Sequence, residues 1–323
     1  MINHAVVVAI GNAVHQSKLI YSRPRAMLPA LGKPLVVRVM DRLLRGGVEK
    51  YTVIVGEQEG AVAAYLNAHW VANASVDFVI QSSKQTLTQT LSEIAGRQTE
   101  PFVLTSYNSF AHLNFADRLC RRFLSMPDVS LLLSGAGASL SDSPITRYAM
   151  LADSTTVSHI AASQTGQAYI LTDMSVCGLP FIEYLTALPT ADGGLLCADL
   201  ASIYEHYVNQ GGSASIVPTS WSLQIDHDSD LLILQHHLLD EEQDGHLLSE
   251  IPPNVQIIPP VRIDPQVSIG QESRIGPYVY LESGCTIGEG AVVEHALILN
   301  KVMVNAGETV KDAIVATRAT IHV

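Results

Sequence analysis

Val267-Ser268-Ile269-Gly270-Gln271-Glu272-Ser273-Arg274-Ile275-Gly276 places two Ile-Gly pairs six residues apart. The spacing continues on both sides. Val261, Val267, Ile269, Ile275, Val279, Leu281, Cys285, Ile287, Ala291, Val293, Leu297 and Leu299 fall mostly in sixes, with a second series offset by two, and Gly270, Gly276, Gly288 and Gly290 lie between them. A period of six with small apolar residues facing inward describes a triangular β-helix with one short strand on each face. No Asn-Gly or Asp-Gly turn interrupts the stretch, which argues against ordinary hairpins. About four such coils fit in residues 252–323, and the spacing loosens from Val302 to Val323. So short a stack leaves an end that must be covered, by the rest of the chain or by another subunit.

Upstream of the repeat, Asp240-Glu241-Glu242-Gln243-Asp244-Gly245 forms a charged break that Pro252-Pro253 and Pro259-Pro260 extend. It divides the chain into residues 1–245 and 246–323. Before the break, strand-like and helix-like segments alternate. Ala5–Ile10 is a continuous apolar run, as a strand covered on both faces would be. Pro34 opens a helix whose apolar residues Val36, Val39, Met40, Leu43 and Leu44 share a face, and Gly46-Gly47 stops it. Strands at 51–55, 76–80, 102–105 and 129–133 alternate with helices at 60–67, 87–95 and 115–124. Short β segments over 145–171 follow, then helices at 182–188 and 200–208, a strand at 215–218 and a closing helix at 230–239. Such alternation implies parallel pairing by right-handed crossovers, hence an α/β domain with a mixed, mostly parallel sheet.

The 323 residues are long for one core and sufficient for two, and 47% of them are hydrophobic. The charged fraction of 15% excludes a disordered or coiled-coil chain. A net charge of −12 excludes nucleic acid as a partner, since phosphate backbones call for clustered Lys and Arg. The four cysteines, Cys120, Cys177, Cys197 and Cys285, lie far apart without metal spacing and fit a reducing cytoplasm. The apolar run near the N-terminus is too short for a membrane span and lacks the charged flank of a signal peptide.

One stretch of the N-terminal part reads Gly11-Asn12-Ala13-Val14-His15, then Pro24-Arg25-Ala26-Met27-Leu28-Pro29-Ala30-Leu31-Gly32-Lys33-Pro34-Leu35. A second, Arg45-Gly46-Gly47-Val48-Glu49-Lys50-Tyr51-Thr52-Val53-Ile54-Val55-Gly56, leads into the next strand. This layout resembles the sugar-phosphate nucleotidyltransferases. In that family the first strand ends in Gly-x-Gly-Thr-Arg, followed by Pro-Lys and by a Lys-Pro that opens the next helix. The C-terminal repeats look like the left-handed β-helix of GDP-mannose and related pyrophosphorylases. The resemblance implies a Rossmann-like nucleotidyltransferase domain followed by that short parallel β-helix. It also implies attack of a sugar-1-phosphate on the α-phosphorus of a nucleoside triphosphate, with phosphate charge neutralised by backbone amides, basic side chains and Mg²⁺.

Carried over residue by residue, the resemblance puts nucleotide contacts at Gly11 and Gln81. Arg25 falls at the activating lysine, with its charge kept but its geometry changed. Asp226 falls two residues after the usual metal carboxylate, where some related transferases place their ligand. The departures are several. Ala13, Val14 and His15 replace the second Gly, the Thr and the Arg of the loop, and Thr86-Leu87 replaces the Gly-Thr five residues after Gln81. Tyr107 stands where the first metal Asp is expected and Gln224 where the second is; Mg²⁺ favours carboxylate and water oxygens over either. Ser158–Ser163 occupies the region of the sugar-side Glu-Lys-Pro, while Asp199 matches a family Asp before a helix.

These departures span the triphosphate, base, metal and sugar contacts. They predict a catalytically impaired relative that binds a nucleotide or nucleotide sugar as a regulatory or scaffold subunit, with no metal ligand set. Its β-helix would join it to copies of itself or to an active relative. The alternative is an active pyrophosphorylase with a non-standard site, using Arg25 on the phosphates, Asp226 on Mg²⁺ and Gln81 on the base. A further alternative is acyl transfer by the β-helix with His295 as base, against which His295 reads as a turn residue on the solenoid surface.

Overall fold

The computed structural model describes residues 2–11, 17–21, 23–70, 73–126, 128–140, 146–188, 199–241 and 247–323. The chain divides into two compact units, Met1–Asn12 with Val36–Gln224, and Ala13–Leu35 with Ile225–Val323. The second unit thus holds the repeat region, the stretch around Arg25 and the helix Asp230–Glu241.

In the first unit the apolar run near the N-terminus becomes the strand His4–Val8, whose Ala5, Val6 and Val7 are fully buried. It pairs in parallel with Lys50–Gly56 on one side and Phe102–Ser106 on the other, and Lys50–Gly56 pairs in parallel with Ser75–Gln81. The remaining neighbour of Phe102–Ser106 is the long strand Ala168–Cys177, which runs antiparallel to it. That strand also pairs antiparallel with Leu131–Ala136, which in turn takes Ala214–Thr219 in parallel. A hairpin of Tyr148–Leu151 and Val157–Ala161 attaches to its beginning. The sheet is therefore mixed: the first three crossovers are parallel, and the strands from Tyr148 to Cys177 supply the antiparallel part.

Helices pack over these strands where the apolar spacing places them. Leu87–Ala95 starts with a capping box in which Thr86 accepts from the Gln89 amide and the Gln89 side chain accepts from the Thr86 amide. Its Leu87, Leu91 and Ile94 join Phe102, Leu104, Phe181, Leu185, Ile203 and Tyr204 in one core cluster. Asp199 caps Leu200–Asn209 by accepting from the Ser202 amide at 2.8 Å, so this family-like aspartate has a structural task here.

Four parallel strands point the same way, so Gly11, Gly56, Gln81 and Ser106 lie at or just past C-terminal strand ends. Gly56 stands opposite Gln81 in the register, and Val8 opposite Ser106. Ligands of open α/β sheets gather at that edge.

In the second unit the six-residue period becomes three stacks of parallel strands. Gln256 pairs with Arg274, Val261 with Val279 and Ser268 with Thr286, each eighteen residues further on. The next coil is one residue shorter: Val279 pairs with Ala296, Thr286 with Met303 and Val292 with Thr309, seventeen residues on. The contraction lies between Val293 and Ala296, where three positions match the four from Ile275 to Val279, upstream of Val302, where the sequence spacing loosens. Val261, Ile275, Val279, Leu281, Ile287 and Val293 are almost wholly buried and fill the interior. Leu297, expected in the inward series, and Ile314 are also buried, but they share the register position of Tyr280 and so lie on the other face of their strands. The C-terminal end is covered by the chain itself, because Ala319–His322 turns back and pairs antiparallel with Thr309–Ala316.

Coil-to-coil backbone approach explains the glycines. A Cβ on Gly288 would lie 2.4 Å from the Ala306 nitrogen, and one on Gly270 2.4 Å from the Glu289 nitrogen. Gly60, by contrast, has nothing within 4 Å of such an atom. Gly288→Ala should therefore destabilise the protein by about 1–3 kcal/mol, while Gly60→Ala, in the first turn of a helix, should leave it unchanged or slightly more stable. Thermal unfolding of the two variants checks this contrast, and equal melting shifts would contradict it.

Candidate functional site

At the ends of strands His4–Val8 and Lys50–Gly56, the first unit has two glycine amides facing one carboxylate. Glu59 accepts a short hydrogen bond from the Gly11 amide through Oε1 and a 2.8 Å bond from the Gly56 amide through Oε2. Gly11 is thus where the family likeness puts it, at the mouth of the sheet, but its amide already has an internal acceptor. The loop readings at Ala13, Val14 and His15, the cysteine at 197 and the charged break over 242–245 lie outside the described residues.

Gln81 ends the adjacent strand. Its Nε2 donates to the Gln85 carbonyl at 3.3 Å, and the Gln85 side chain accepts from the Ser82 amide. This ties the turn that leads to the helix at Leu87. The Gln81 Oε1 is buried and has no partner among the described residues. Such an orphan costs free energy until an N–H reaches it, so it is an acceptor suited to a nucleobase edge or a comparable donor.

Beyond Thr105 the sheet opens on Ser106, Tyr107 and Asn108, all nearly buried. The carboxylate at this point comes from Asp173 in Ala168–Cys177, a residue the sequence reading did not single out. Its Oδ2 accepts from Ser106 Oγ at 2.8 Å and from Gln224 Nε2 at 2.9 Å. Gln224, at the position of a family metal aspartate, is therefore a donor to an acid. A lone acidic residue inside the strand AYILTDMSVC was the available signal. Glu59 had a weaker one, an acid immediately before the helix Gly60–His69.

The other two expected residues belong to the second unit and meet there. Arg25, in a short 3₁₀ turn, donates from Nη1 to the backbone carbonyl of Asp226 at 2.8 Å. Its Nη2 is buried and has no hydrogen-bond partner among the described residues. A guanidinium satisfied on one edge and dry on the other is poised for an anionic acceptor. Asp226 is only 3% exposed. Next to it, Asp230 accepts from the amides of Asp226 and His227 at 2.9 and 2.7 Å, and so ties down the start of its own helix. Asp228 does the same for the other chain segment, accepting from Ser17 Oγ at 2.5 Å and the Lys18 amide at 2.7 Å.

These donors do not suit Mg²⁺. Among the described residues, no group of three His, Cys, Asp or Glu could hold a metal ion. Beside Tyr107 and Gln224 stands the carboxylate of Asp173, which accepts from two neutral donors, and the Glu59 carboxylate is held by two amides. Mg²⁺ asks for an octahedron of carboxylate and water oxygens. The histidines give no alternative. His295 has φ +45° at a corner of the solenoid and stacks on Tyr278 at 5.5 Å, with His236 packed against both.

Burial raises the pKa of Asp230, and the amides of His227 and Asp226 offset this only in part. A carboxyl with a raised folded pKa binds its proton more tightly in the native chain than in the unfolded one. Its contribution therefore favours folding below the unfolded value of about 4 and is lost as pH rises through the folded value. Asp230→Asn keeps an oxygen for the amides and removes the charge. The variant should lose that part of the fall in melting temperature as pH rises above about 4, and an unchanged pH profile would contradict the assignment.

Comparison with known proteins bears on both units. Residues 257–323 match the family described as GMPPB C-terminal domain. A UTP–glucose-1-phosphate uridylyltransferase, AglF of Haloferax volcanii, is 23% identical over 129 residues, which cover 40% of this chain and 53% of that protein. The match thus spans about half the length of the curated relative. Among solved structures, the inositol-1-phosphate CTP transferase of T. maritima aligns with a TM-score of 0.57 and 15% identity, over 71% of this chain and 91% of its own. A putative glucose-1-phosphate thymidylyltransferase from Bacillus anthracis, in complex with a sucrose, aligns with a TM-score of 0.60 and 15% identity over 72% and 93%. HddC from Yersinia pseudotuberculosis, complexed with GMP-PN, gives 0.56 and 14% over 73% and 100%. The chain thus has an α/β unit with the fold of these nucleotidyltransferases and a parallel C-terminal repeat unit similar to the GMPPB C-terminal domain, a likeness that supports the sugar-phosphate nucleotidyltransferase resemblance.

Proposed function

We propose that this chain is a catalytically impaired nucleotidyltransferase-like protein that binds a nucleotide or nucleotide sugar and serves as a regulatory or scaffold subunit. The observation that carries the reading is the pairing of Gln224 with Asp173. Nucleotidyl transfer builds negative charge around the α-phosphorus, and the reaction needs that charge held by a metal and by amide donors. An amide, Gln224, and a phenol, Tyr107, replace the two carboxylates that the resemblance leads one to expect, and the nearby Asp173 is engaged by Ser106 and Gln224. Removing one such stabilising contact can cost a factor of 10²–10³ in rate, and several are altered together.

Binding is supported separately. In the second unit the dry Nη2 of Arg25 is a cationic donor suited to a phosphate, and in the first unit the orphaned Oε1 of Gln81 is a neutral acceptor suited to a base, each taken by itself. HddC was captured with GMP-PN, which fits ligand binding by this fold. The repeat unit supplies the contact with further copies or with an active relative. Among the described residues no helix is long and apolar enough to cross a membrane, and the buried free thiols Cys120, Cys177 and Cys285 suit a cytoplasmic setting.

Calorimetric titration with the common nucleoside triphosphates and nucleotide sugars tests this. Binding should be weak, and adding Mg²⁺ should change Kd by less than about threefold. Arg25→Ala should weaken it by about tenfold or more, the usual scale for a hydrogen bond to a charged group. Tight, Mg²⁺-dependent binding lost in Asp226→Ala would favour an active enzyme with an unusual site.

A further inference from the structure

The amides of Gly11 and Gly56 form an anion site that already holds an anion. Both donate to Glu59, one to each carboxylate oxygen. The two glycines make the approach possible, since a Cβ on Gly11 would lie 2.7 Å from Oε1 and one on Gly56 3.0 Å from Oε2. Glu59 occupies the residue before the helix Gly60–His69, where a polar side chain ordinarily bonds the first helical amides. It makes no such bond. Its carboxylate faces the strand ends instead. Those ends belong to adjacent parallel strands, the edge where open α/β sheets receive ligands, and Gly11 is exposed to solvent there.

We propose that Glu59 is an internal competitor for ligand phosphate: a phosphate group reaches the Gly11–Gly56 amides only when the Glu59 carboxylate leaves them. Two anions cannot share a pair of donors at hydrogen-bonding distance without strong repulsion. Glu59 is half-buried on the surface side of the strand ends, so its release requires a side-chain rotation and no rearrangement of the core. The device sets both affinity and selectivity. It disfavours polyphosphates, the more strongly the greater their charge, and penalises an uncharged sugar or nucleoside least. This inference deepens the reading of the chain as a nucleotide or nucleotide-sugar binder and rests on it.

The test uses the full chain and inorganic pyrophosphate as probe, followed by calorimetry. With the competitor in place most of the time, removing it restores the affinity by the inverse of the open fraction, about tenfold or more. Glu59→Ala should bind pyrophosphate at least that much more tightly than the unmodified chain. Glu59→Gln, uncharged but still able to accept one amide, should fall between. Should Glu59→Ala melt below the assay temperature, the isosteric Glu59→Gln carries the test alone. Equal or weaker pyrophosphate binding by the folded variants overturns the proposal. If the unmodified chain binds nucleotides and Glu59→Ala binds them no better, the competitor is wrong and the binding reading stands. If Glu59→Ala binds pyrophosphate tightly while no form binds a nucleotide or nucleotide sugar, the competitor stands and the nucleotide reading falls.

Discussion

The hydrogen bond from Gln224 to Asp173 ties together the parts of the first unit on which function depends. It joins the strand Ser222–Gln224 to Ala168–Cys177, and through Ser106 it reaches the end of Phe102–Ser106. A carboxylate near a strand end is tolerable only when donors surround it, and two neutral donors meet that need without a cation. An active relative would solve the same electrostatic problem by gathering carboxylates around a metal. Here the amide of Gln224 is a partner of the acid, a role that on the proposed function replaces a metal. At the neighbouring strand ends Glu59 does something similar with two backbone amides that would otherwise await a phosphate. At the sheet mouth both Asp173 and Glu59 are thus held by donors of the protein itself.

The second unit is governed by a different constraint, the close stacking of backbone on backbone. Parallel coils seventeen or eighteen residues apart bring Gly270 and Gly288 against the next turn, and only hydrogen fits there. Inward Val, Ile, Leu and Ala side chains fill the narrow interior, and each fully buried one contributes about 1.5–3 kcal/mol. The stretch bearing Arg25 is part of this unit, where it is held by further charged pairs. Arg23 forms a bidentate bridge to Glu282 at 2.7 and 2.8 Å, and Tyr280 bonds both Asp264 and the Gly32 amide. Arg25 is therefore presented by a rigid support, with its inner nitrogen on the Asp226 carbonyl.

Much of the fold was legible because its signals are local. Leu87–Ala95 and Phe115–Leu124 have the bounds that their apolar spacing and flanking residues suggest. The hexad spacing carried the solenoid. The extra strand Ala319–His322 was not visible, because folding back onto Thr309–Ala316 is a long-range choice that a period cannot encode. The site was legible mainly through what was missing. Tyr107 and Gln224 could be recognised as departures from a pattern, but their replacement partners could not. Asp173 lies fifty-one positions before Gln224, and Glu59 forty-eight after Gly11, so only the folded sheet brings them together. Asp226 shows another case: a carboxylate at a suggestive position whose backbone carbonyl accepts from Arg25 and whose amide donates to Asp230, contacts that no motif encodes.

On the proposed function, these replacements leave the sheet mouth unable to stabilise nucleotidyl transfer. Pyrophosphate release from each common nucleoside triphosphate, supplied with a panel of sugar-1-phosphates and Mg²⁺, measures it most directly. No release above the uncatalysed background is expected. Turnover at an ordinary enzymatic rate of about 1 s⁻¹ or faster would contradict it.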